Sequence, residues 1–230
     1  FMEMEKRGYL LKGVPKDQGL HEYLLEGRLA NNLRWGGEDI ALKEGQRLTA
    51  DQYHELLSEV VPGPQVEQEW GPLPGQIMTV DGNILLPAVE FGNVLLGIQP
   101  ARGFHSDPDK ISHDKTLPPH HQYVAFYRWL EQVWQPDCVV HVGTHGTLEF
   151  LKGKEVGMSA TCWPEILIGD VPHLYIYHVV NASEATIAKR RSLAVLVNYN
   201  SPSFCAAELY GEYAELEDLI AEYLEARALD

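Results

Sequence analysis

Three short apolar runs in the second half of the chain constrain its fold more than any other feature. They occupy residues 138–142, 174–179 and 193–197, and residues 183–191 between the last two have a helical pattern. Apolar strands that alternate with helices at this spacing are typical of a parallel sheet. We therefore predict an α/β fold, in which a parallel or mixed α/β layer follows an amphipathic helix over residues 119–134.

The first part of the chain has a different, mainly helical pattern. Apolar residues recur at helical spacing over residues 18–33, and Thr49 begins a capping box that opens a second helix. The Pro-Gly-Pro sequence at residues 62–64 should end that helix, and it is the strongest candidate for a domain boundary. We predict a mainly helical segment over residues 1–64 and an α/β region over residues 65–230 that closes with a long helix.

Charge and composition exclude several classes of function. The 230 residues carry a formal net charge of -15, concentrated in the closing helix predicted over residues 206–229, and so acidic a chain does not suit a nucleic-acid backbone. No apolar run reaches the roughly 18 residues of a membrane span. The first residues lack the features of a signal peptide. Because the three cysteines are scattered rather than paired, we predict a soluble protein of the reducing cytoplasm.

The sequence HVGTHGTLEF, which begins at His141, places His141, His145 and Glu149 four residues apart. On a helix these side chains would share one face and could chelate a metal ion, but two intervening glycines disfavour a continuous helix. The alternative is a strand that ends in a sharp turn, followed by a short helix containing Glu149. Ligands of open α/β sheets bind at the carboxyl ends of strands, so His145 and Glu149 would then face a crevice, with His141 packed behind them. The spacing alone assigns no function to either histidine.

Two further segments contain candidate ligand-binding residues. The segment NASEATIAKRR ends at Arg191 and is predicted to be a helix. Helix formation alone accounts for its charged residues, because Ser183 can cap the start and basic residues suit the last turn. The alternative is that Arg190 or Arg191 holds substrate carboxylates, which guanidinium groups bind bidentately. The long stretch of residues 100–119 has little periodicity and contains Arg102, and loops of this length are commonly functional.

Three ordered segments resemble one protein family. They are QPARGF with the downstream HDKTLPPHHQYVAFYRWL, then HVGTHGTLEFLKGKEVGMSATCWPEILIGDVPHLYIY, and finally NASEATIAKRRSLAVLV. All are similar to the large subunits of the cobalt and magnesium chelatases, and the resemblance runs from about residue 42 to residue 225. LEFLKGK departs from the LEWLPGK of the cobalt type, while NASEATIAKRR is closer to the magnesium type, so the mixture leaves the metal undecided. Because such subunits are much longer than this chain, the chain resembles their later part.

The resemblance implies an enzyme part: a portion of the large subunit of an ATP-dependent chelatase that inserts cobalt or magnesium into a tetrapyrrole. Glu149 and His145 are implied as the catalytic residues, and with His141 they are implied as ligands of the metal ion. Magnesium would favour the carboxylate oxygen, and cobalt would accept an imidazole nitrogen.

The resemblance also implies contacts and partners. Arg190, Arg191 and Arg102 would contact acidic groups of the tetrapyrrole, and separate ring-forming ATPase subunits would hydrolyse the ATP. This agrees with the lack of a phosphate-loop sequence in the chain. Two alternatives remain: a non-catalytic module that binds the tetrapyrrole or docks the ATPase, and a metal-dependent hydrolase that uses the two histidines and the glutamate.

Overall fold

The computed structural model describes residues 1–15, 19–23, 29, 45–102, 116–143, 146–177, 181–198 and 211–229. Contacts divide the chain into two compact units, Phe1–Asn198 and Tyr199–Asp230. Within the described residues, the first unit contains three small sheets with helices, and the second contains one long helix.

The described residues of the N-terminal part form helices and one strand, and the prediction that residues 1–64 are mainly helical stays a prediction. Its elements are α1 (Met2–Lys6), α2 (Leu20–Tyr23), β1 (Gln46–Thr49), α3 (Ala50–Ser58) and α4 (Gly63–Trp70). The predicted capping box is confirmed: the Thr49 hydroxyl accepts a hydrogen bond from the Gln52 main-chain N–H (3.2 Å), and the Thr49 N–H donates to Gln52 Oε1 (3.0 Å). The Pro-Gly-Pro sequence opens α4, because the fixed φ and missing N–H of proline suit the first turn of a helix.

Residues on both sides of the predicted boundary at residue 64 share one hydrophobic core. Leu57 and Val66 belong to the same buried cluster, which is centred on the helix α5 (His121–Trp129). The division into residues 1–64 and 65–230 stays a prediction about domain organisation. Residues from both sides of it contribute to the same hydrophobic core.

Two small antiparallel sheets follow α4. Their strands are β2 (Thr79–Val80), β3 (Asn83–Leu86), β4 (Ala88–Phe91) and β5 (Val94–Gly97). The first sheet has the order β1-β3-β2, and β4 pairs with β5 as a hairpin. Asp81 and Gly82 join β2 to β3 with φ angles of 50° and 74°, which is the left-handed conformation that a two-residue hairpin turn requires.

The helix α5 is buried on all sides. Each of its nine residues is buried, and a π-helix, Leu130–Trp134, continues it. Its aromatic residues Tyr123 and Phe126 pack in the main cluster, as expected for a helix that is apolar around most of its circumference. The helix α5 therefore forms a rigid support for the loops that contact it.

A parallel sheet occupies the second half of the first unit. Its strands are β6 (Val139–Val142), β7 (His173–Ile176) and β8 (Val195–Val197), in that spatial order. The helix α6 (Trp163–Ile168) lies between β6 and β7 in the chain, and α7 (Ala182–Arg191) lies between β7 and β8. This confirms the predicted parallel layer, and with the antiparallel sheets it confirms the α/β class.

The two faces of this sheet differ. On the inner face, Tyr175 of β7 and Tyr177, which follows the strand, pack with Ala185 and Ala188 of α7. Apolar residues on the outer face are 36% to 68% exposed; they are Val140, Val142, Leu174, Ile176, Val195 and Val197. The inner face is therefore the one that joins the sheet to the rest of the first unit.

The second unit contains the helix α8 (Glu212–Leu229), which is 18 residues long. The predicted acidic helix over residues 206–229 is confirmed over this range, and its first residues lie outside the described part of the chain. Among the residues that the structure describes, no helix is both long and apolar enough to cross a membrane.

Candidate functional site

The segment after β6 lies at the carboxyl end of the parallel sheet. β6 ends at Val142, and a short 3₁₀-helix, Leu148–Phe150, follows it. The strand and the short helix are separate elements, so the alternative of a strand followed by a short helix containing Glu149 is confirmed. A continuous helix with all three side chains on one face is excluded. Thr144 and His145 lie outside the described residues, so the roles predicted for His145, as a catalytic residue and a metal ligand, stay predictions.

The carboxyl group of Glu149 is buried without a partner. Glu149 is only 1% exposed, and neither side-chain oxygen has a hydrogen-bond partner among the described residues. The pKa of Glu149 is raised to about 7, chiefly by burial and also by the nearby Glu184 carboxylate, although the Glu149 main-chain N–H, Arg191 and Arg102 oppose the rise. A carboxyl group with a pKa near neutrality can both accept and release a proton under ordinary conditions.

His141 reaches the same place from the sheet. Its ring stacks on Tyr175 with the centroids 4.2 Å apart and an interplanar angle of 16°, because the parallel register sets His141 opposite Tyr175. Burial, together with the neighbouring His173, lowers the pKa of His141 to about 4. His141 is therefore neutral at pH 7 and can offer an imidazole nitrogen as a ligand or proton acceptor.

The two side chains converge on Gly146. A Cβ atom at position 146 would lie 2.6 Å from Cε1 of His141 and 2.9 Å from Oε2 of Glu149. Both contacts are closer than a real Cβ tolerates, so only glycine leaves the space that the imidazole and the carboxyl group occupy. His141 and Glu149 are thus brought together, and their predicted roles as metal ligands stay predictions.

Several side chains anchor the main chain of this turn. The Gly146 N–H donates to the hydroxyl oxygen of Tyr175 (2.6 Å), and the Thr147 N–H donates to Oε1 of Gln99 (2.9 Å). The hydroxyl groups of Thr147 and Tyr123 are hydrogen-bonded at 2.8 Å. Gly146 and Thr147 are consequently held from three directions: by β7, by α5 and by the segment after β5.

The predicted substrate-binding arginines take different positions. Nη1 and Nη2 of Arg191 donate to the carbonyl oxygens of Glu149 and Leu151, each at 2.7 Å. Arg102 Nη1 donates to the carbonyl oxygen of Phe150 (2.9 Å), and its guanidinium carbon lies 5.8 Å from the centre of the Phe150 ring. Arg190 is exposed in the last turn of α7. Two of the three guanidinium groups therefore contact the main chain of the site itself.

The described residues alone do not make a complete metal site. No group of three histidine, cysteine, aspartate or glutamate side chains that could hold a metal ion occurs within them. Glu149 and His141 supply one oxygen donor and one nitrogen donor at neighbouring positions. Further ligands of a metal ion would have to come from residues outside the described ones, among which is His145, or from another bound molecule.

A separate open pocket of about 200 Å³ offers weaker chemistry. It is lined by Glu69, Trp70, Gln76, Ile77, His120 and His121. Both ring nitrogens of each histidine are already engaged: His120 contacts Ala101 and Tyr123, and His121 contacts Tyr53 and Gly71. These imidazoles have structural roles, so the pocket is not the better candidate.

Sequence reasoning missed the roles of Tyr175, Gly146 and Gln99. The apolar run predicts a strand over residues 174–179. The register of that strand against β6, which places Tyr175 beside His141, cannot be read from the residues near Tyr175 in the sequence. Gly146 was recognisable as a turn residue, whereas the crowding around it depends on side chains from β6 and the 3₁₀-helix. Gln99 contacts Tyr127 and Thr147, which lie far from it along the chain.

Known proteins match the chain over its full length. A family model described as CobN/Magnesium Chelatase matches residues 1–230. A magnesium-chelatase subunit from Chlorobaculum parvum is 40% identical over 183 residues, which are 79% of this chain and 14% of that protein. Aerobic cobaltochelatase subunit CobN of Pseudomonas aeruginosa is 36% identical over 230 residues, which are 99% of this chain and 18% of that protein.

A solved structure also matches. The catalytic subunit of cobaltochelatase from Mycobacterium tuberculosis superposes with a TM-score of 0.70 at 36% sequence identity, over 100% of this chain and 20% of that one. The chain spans less than a fifth of the length of the curated relatives that it matches.

Proposed function

The chain belongs to the CobN/magnesium chelatase family, and we propose that it forms part of a large chelatase subunit that inserts cobalt or magnesium into a tetrapyrrole. One observation carries the proposal: the buried carboxyl group of Glu149, which has no hydrogen-bond partner in the part of the chain that the structure describes, lies beside the neutral imidazole of His141. The names of the relatives, which are subunits of a magnesium chelatase and a cobaltochelatase, support the choice of reaction.

The chemistry of metal insertion fits this pair of groups. A tetrapyrrole must lose two pyrrole protons before its nitrogen atoms can bind the ion, so a base beside the ring accelerates the reaction. Glu149 is proposed as that base, because a carboxylate with a pKa of about 7 is a much stronger proton acceptor than an exposed one. In its ionised form the same group can also guide the cation toward the ring.

The histidines are proposed to act on the metal ion, which is a substrate of the reaction. His141 is neutral at pH 7 and can take the place of a water molecule on a cobalt ion, while a magnesium ion would contact the Glu149 oxygen first. His145 is proposed as a second catalytic residue and ligand on the strength of the sequence alone. Because both donor types are present, the pair does not select one metal.

The remaining elements of the proposal concern partners. Hydrolysis of ATP is assigned to separate ring-forming ATPase subunits. Arg190, which is exposed at the end of α7, is proposed to contact acidic groups of the tetrapyrrole. The cytoplasm is proposed as the compartment, in keeping with the unpaired cysteines Cys138 and Cys162.

The decisive test replaces the carboxyl group in the assembled chelatase. We expect Glu149→Gln to lower ATP-dependent metallation by roughly 100-fold or more, since proton transfer by a positioned group contributes on this scale. Binding of the metal-free porphyrin, followed by fluorescence quenching, should stay within about twofold of the parent protein.

The matched control is Glu55→Gln, the same chemical change at an exposed position of α3. It should metallate at the normal rate. Normal metallation by Glu149→Gln with intact porphyrin binding would reject the catalytic proposal and favour a tetrapyrrole-binding module instead.

A further inference from the structure

Two arginines hold three consecutive carbonyl oxygens of the site. Arg191 donates to the carbonyl oxygens of Glu149 and Leu151, and Arg102 donates to that of Phe150 between them. We call this set of three hydrogen bonds the arginine clamp. The arginines come from different parts of the chain, one from the last turn of α7 and the other from the segment that follows β5.

The arginine clamp supplies hydrogen bonds to three carbonyl oxygens, those of residues 149–151, that the short 3₁₀-helix does not supply itself. The last carbonyl groups of a helix have no partner within it, and the 3₁₀-helix at Leu148–Phe150 is only one turn long. Hydrogen bonds from a guanidinium group are charge-assisted and stronger than those between neutral groups. A planar guanidinium can also serve two carbonyl oxygens at once, which a lysine ammonium does not do with the same geometry.

The position of the Glu149 carboxyl group depends on this main chain. Within the described residues, no hydrogen bond from another residue holds its side-chain oxygens. Packing and the conformation of residues 149–151 are what direct the carboxyl group toward Gly146 and His141. A small shift of these three residues would therefore displace the group, and displacements of this kind are costly in catalysis.

We infer that Arg191, assisted by Arg102, is a positioning residue that acts through Glu149 and does not contact the tetrapyrrole. The inference rests on the proposed function of Glu149. The burial of Arg191 supports it: at 6% exposure, with both terminal nitrogens on carbonyl oxygens, its guanidinium group is committed to the site. The helix α7 is thereby coupled to the turn that follows β6.

The test uses Arg191→Lys in the assembled chelatase. Lysine keeps the positive charge but cannot hold both carbonyl oxygens, so we expect the metallation rate at saturating porphyrin to fall about tenfold or more. The dissociation constant of the porphyrin should stay within about twofold. Lys189→Met, which alters an exposed residue in the same helical turn, should change neither quantity.

A double variant separates positioning from a general loss of structure. If Arg191 acts through Glu149, adding Arg191→Lys to Glu149→Gln should lower the residual metallation rate by no more than about twofold. A further tenfold loss in the double variant would contradict the inference. So would a tenfold weaker porphyrin affinity with an unchanged rate in Arg191→Lys alone, because that result assigns Arg191 to the ring.

The outcomes distinguish this inference from the proposed function. A normal rate in Glu149→Gln rejects the proposed function, whereas an inactive Glu149→Gln with a normal Arg191→Lys rejects only the clamp. If Arg191→Lys does not fold, Arg102→Met decides, since methionine has no donor for the single hydrogen bond that the half-buried Arg102 makes to the Phe150 carbonyl oxygen. An unchanged rate in Arg102→Met would then overturn the inference, and a roughly threefold or greater loss with normal porphyrin binding would support it.

Discussion

At the scale of single residues, the buried Glu149 carboxyl group is the feature that stability alone would not favour. A polar group without a hydrogen-bond partner is expensive to bury, and an ionised one is more expensive still. The protein keeps it between His141 and the backbone of Gly146, where a neutral, well-packed side chain would be more stable. Groups that lower stability in this way are commonly retained for chemistry.

The pKa of Glu149 predicts how stability changes with pH. Its pKa is about 7 in the folded protein against 4.5 for an ordinary glutamate, so the folded state binds more protons between these values. The free energy of unfolding therefore falls as pH rises from about 4.5 to 7, by roughly 3 kcal/mol from this group. Glu149→Gln should be more stable than the parent by about that amount at pH 8 and nearly equal to it at pH 4, measured by urea unfolding. A stability difference that does not vary with pH would contradict the raised pKa.

Gly146 predicts a steric effect at the same site. In Gly146→Ala the new Cβ would lie 2.6 Å from His141 Cε1 and 2.9 Å from Glu149 Oε2, so the half-buried imidazole or the buried carboxyl group must move. We expect a loss of about 1–3 kcal/mol of stability, as for other overpacked sites, and a metallation rate at least roughly tenfold lower. Gly157→Ala is the control, because a Cβ there meets no described atom within 4 Å. Unaltered metallation in Gly146→Ala would show that the two groups do not work from their observed positions.

At the scale of elements, α7 connects the inner face of the parallel sheet to the turn that follows β6. Its start is capped by Asn181, whose Oδ1 accepts a hydrogen bond from the Glu184 N–H (3.3 Å), so the prediction of Ser183 as the cap is wrong. The Ser183 hydroxyl instead donates to Asn181 Oδ1 (2.8 Å). The last turn ends with Arg191, which holds residues of the 3₁₀-helix.

The capping box of α3 predicts a measurable loss of stability. Thr49→Ala removes the hydroxyl that accepts from the Gln52 N–H, and such changes at the first position of a helix cost about 1 kcal/mol. Ser58→Ala near the other end of the same helix removes an exposed hydroxyl that contacts only the Glu55 carbonyl oxygen, and it should change stability by less than about 0.5 kcal/mol. Urea denaturation of the two variants compares them directly, and equal losses would refute the importance of the cap.

At the scale of the whole molecule, the buried helix α5 joins segments that are far apart in the chain. Its main cluster contains residues from β1 to α6, and Tyr123 of α5 reaches the turn after β6 through the hydroxyl of Thr147. The parallel sheet contributes its inner face, while its apolar outer face is exposed in this chain. Parallel sheets usually have both faces covered, so this one is half covered by the residues described.

Several features follow from the sequence because their causes are local. Short apolar runs that alternate with a helix predict the parallel layer, and the pairing of Thr49 with Gln52 predicts where α3 begins. The glycines after β6 exclude a long helix, which places Glu149 on a short helical turn at the end of a strand. Each of these depends on residues within a few positions of one another.

Only the tertiary structure decides which side chains meet. The register of β6 against β7 sets Tyr175 beside His141, and the docking of α7 turns Arg191 toward the carbonyl oxygens of Glu149 and Leu151. The sequence by itself determined the elements and the candidate residues Glu149 and His141, but left the same arginine free to be a helix end or a substrate contact. The hydrogen bonds of Arg191 join residues about 40 positions apart. The free energy of such an interaction depends on burial and on packing between elements, which no local sequence pattern encodes.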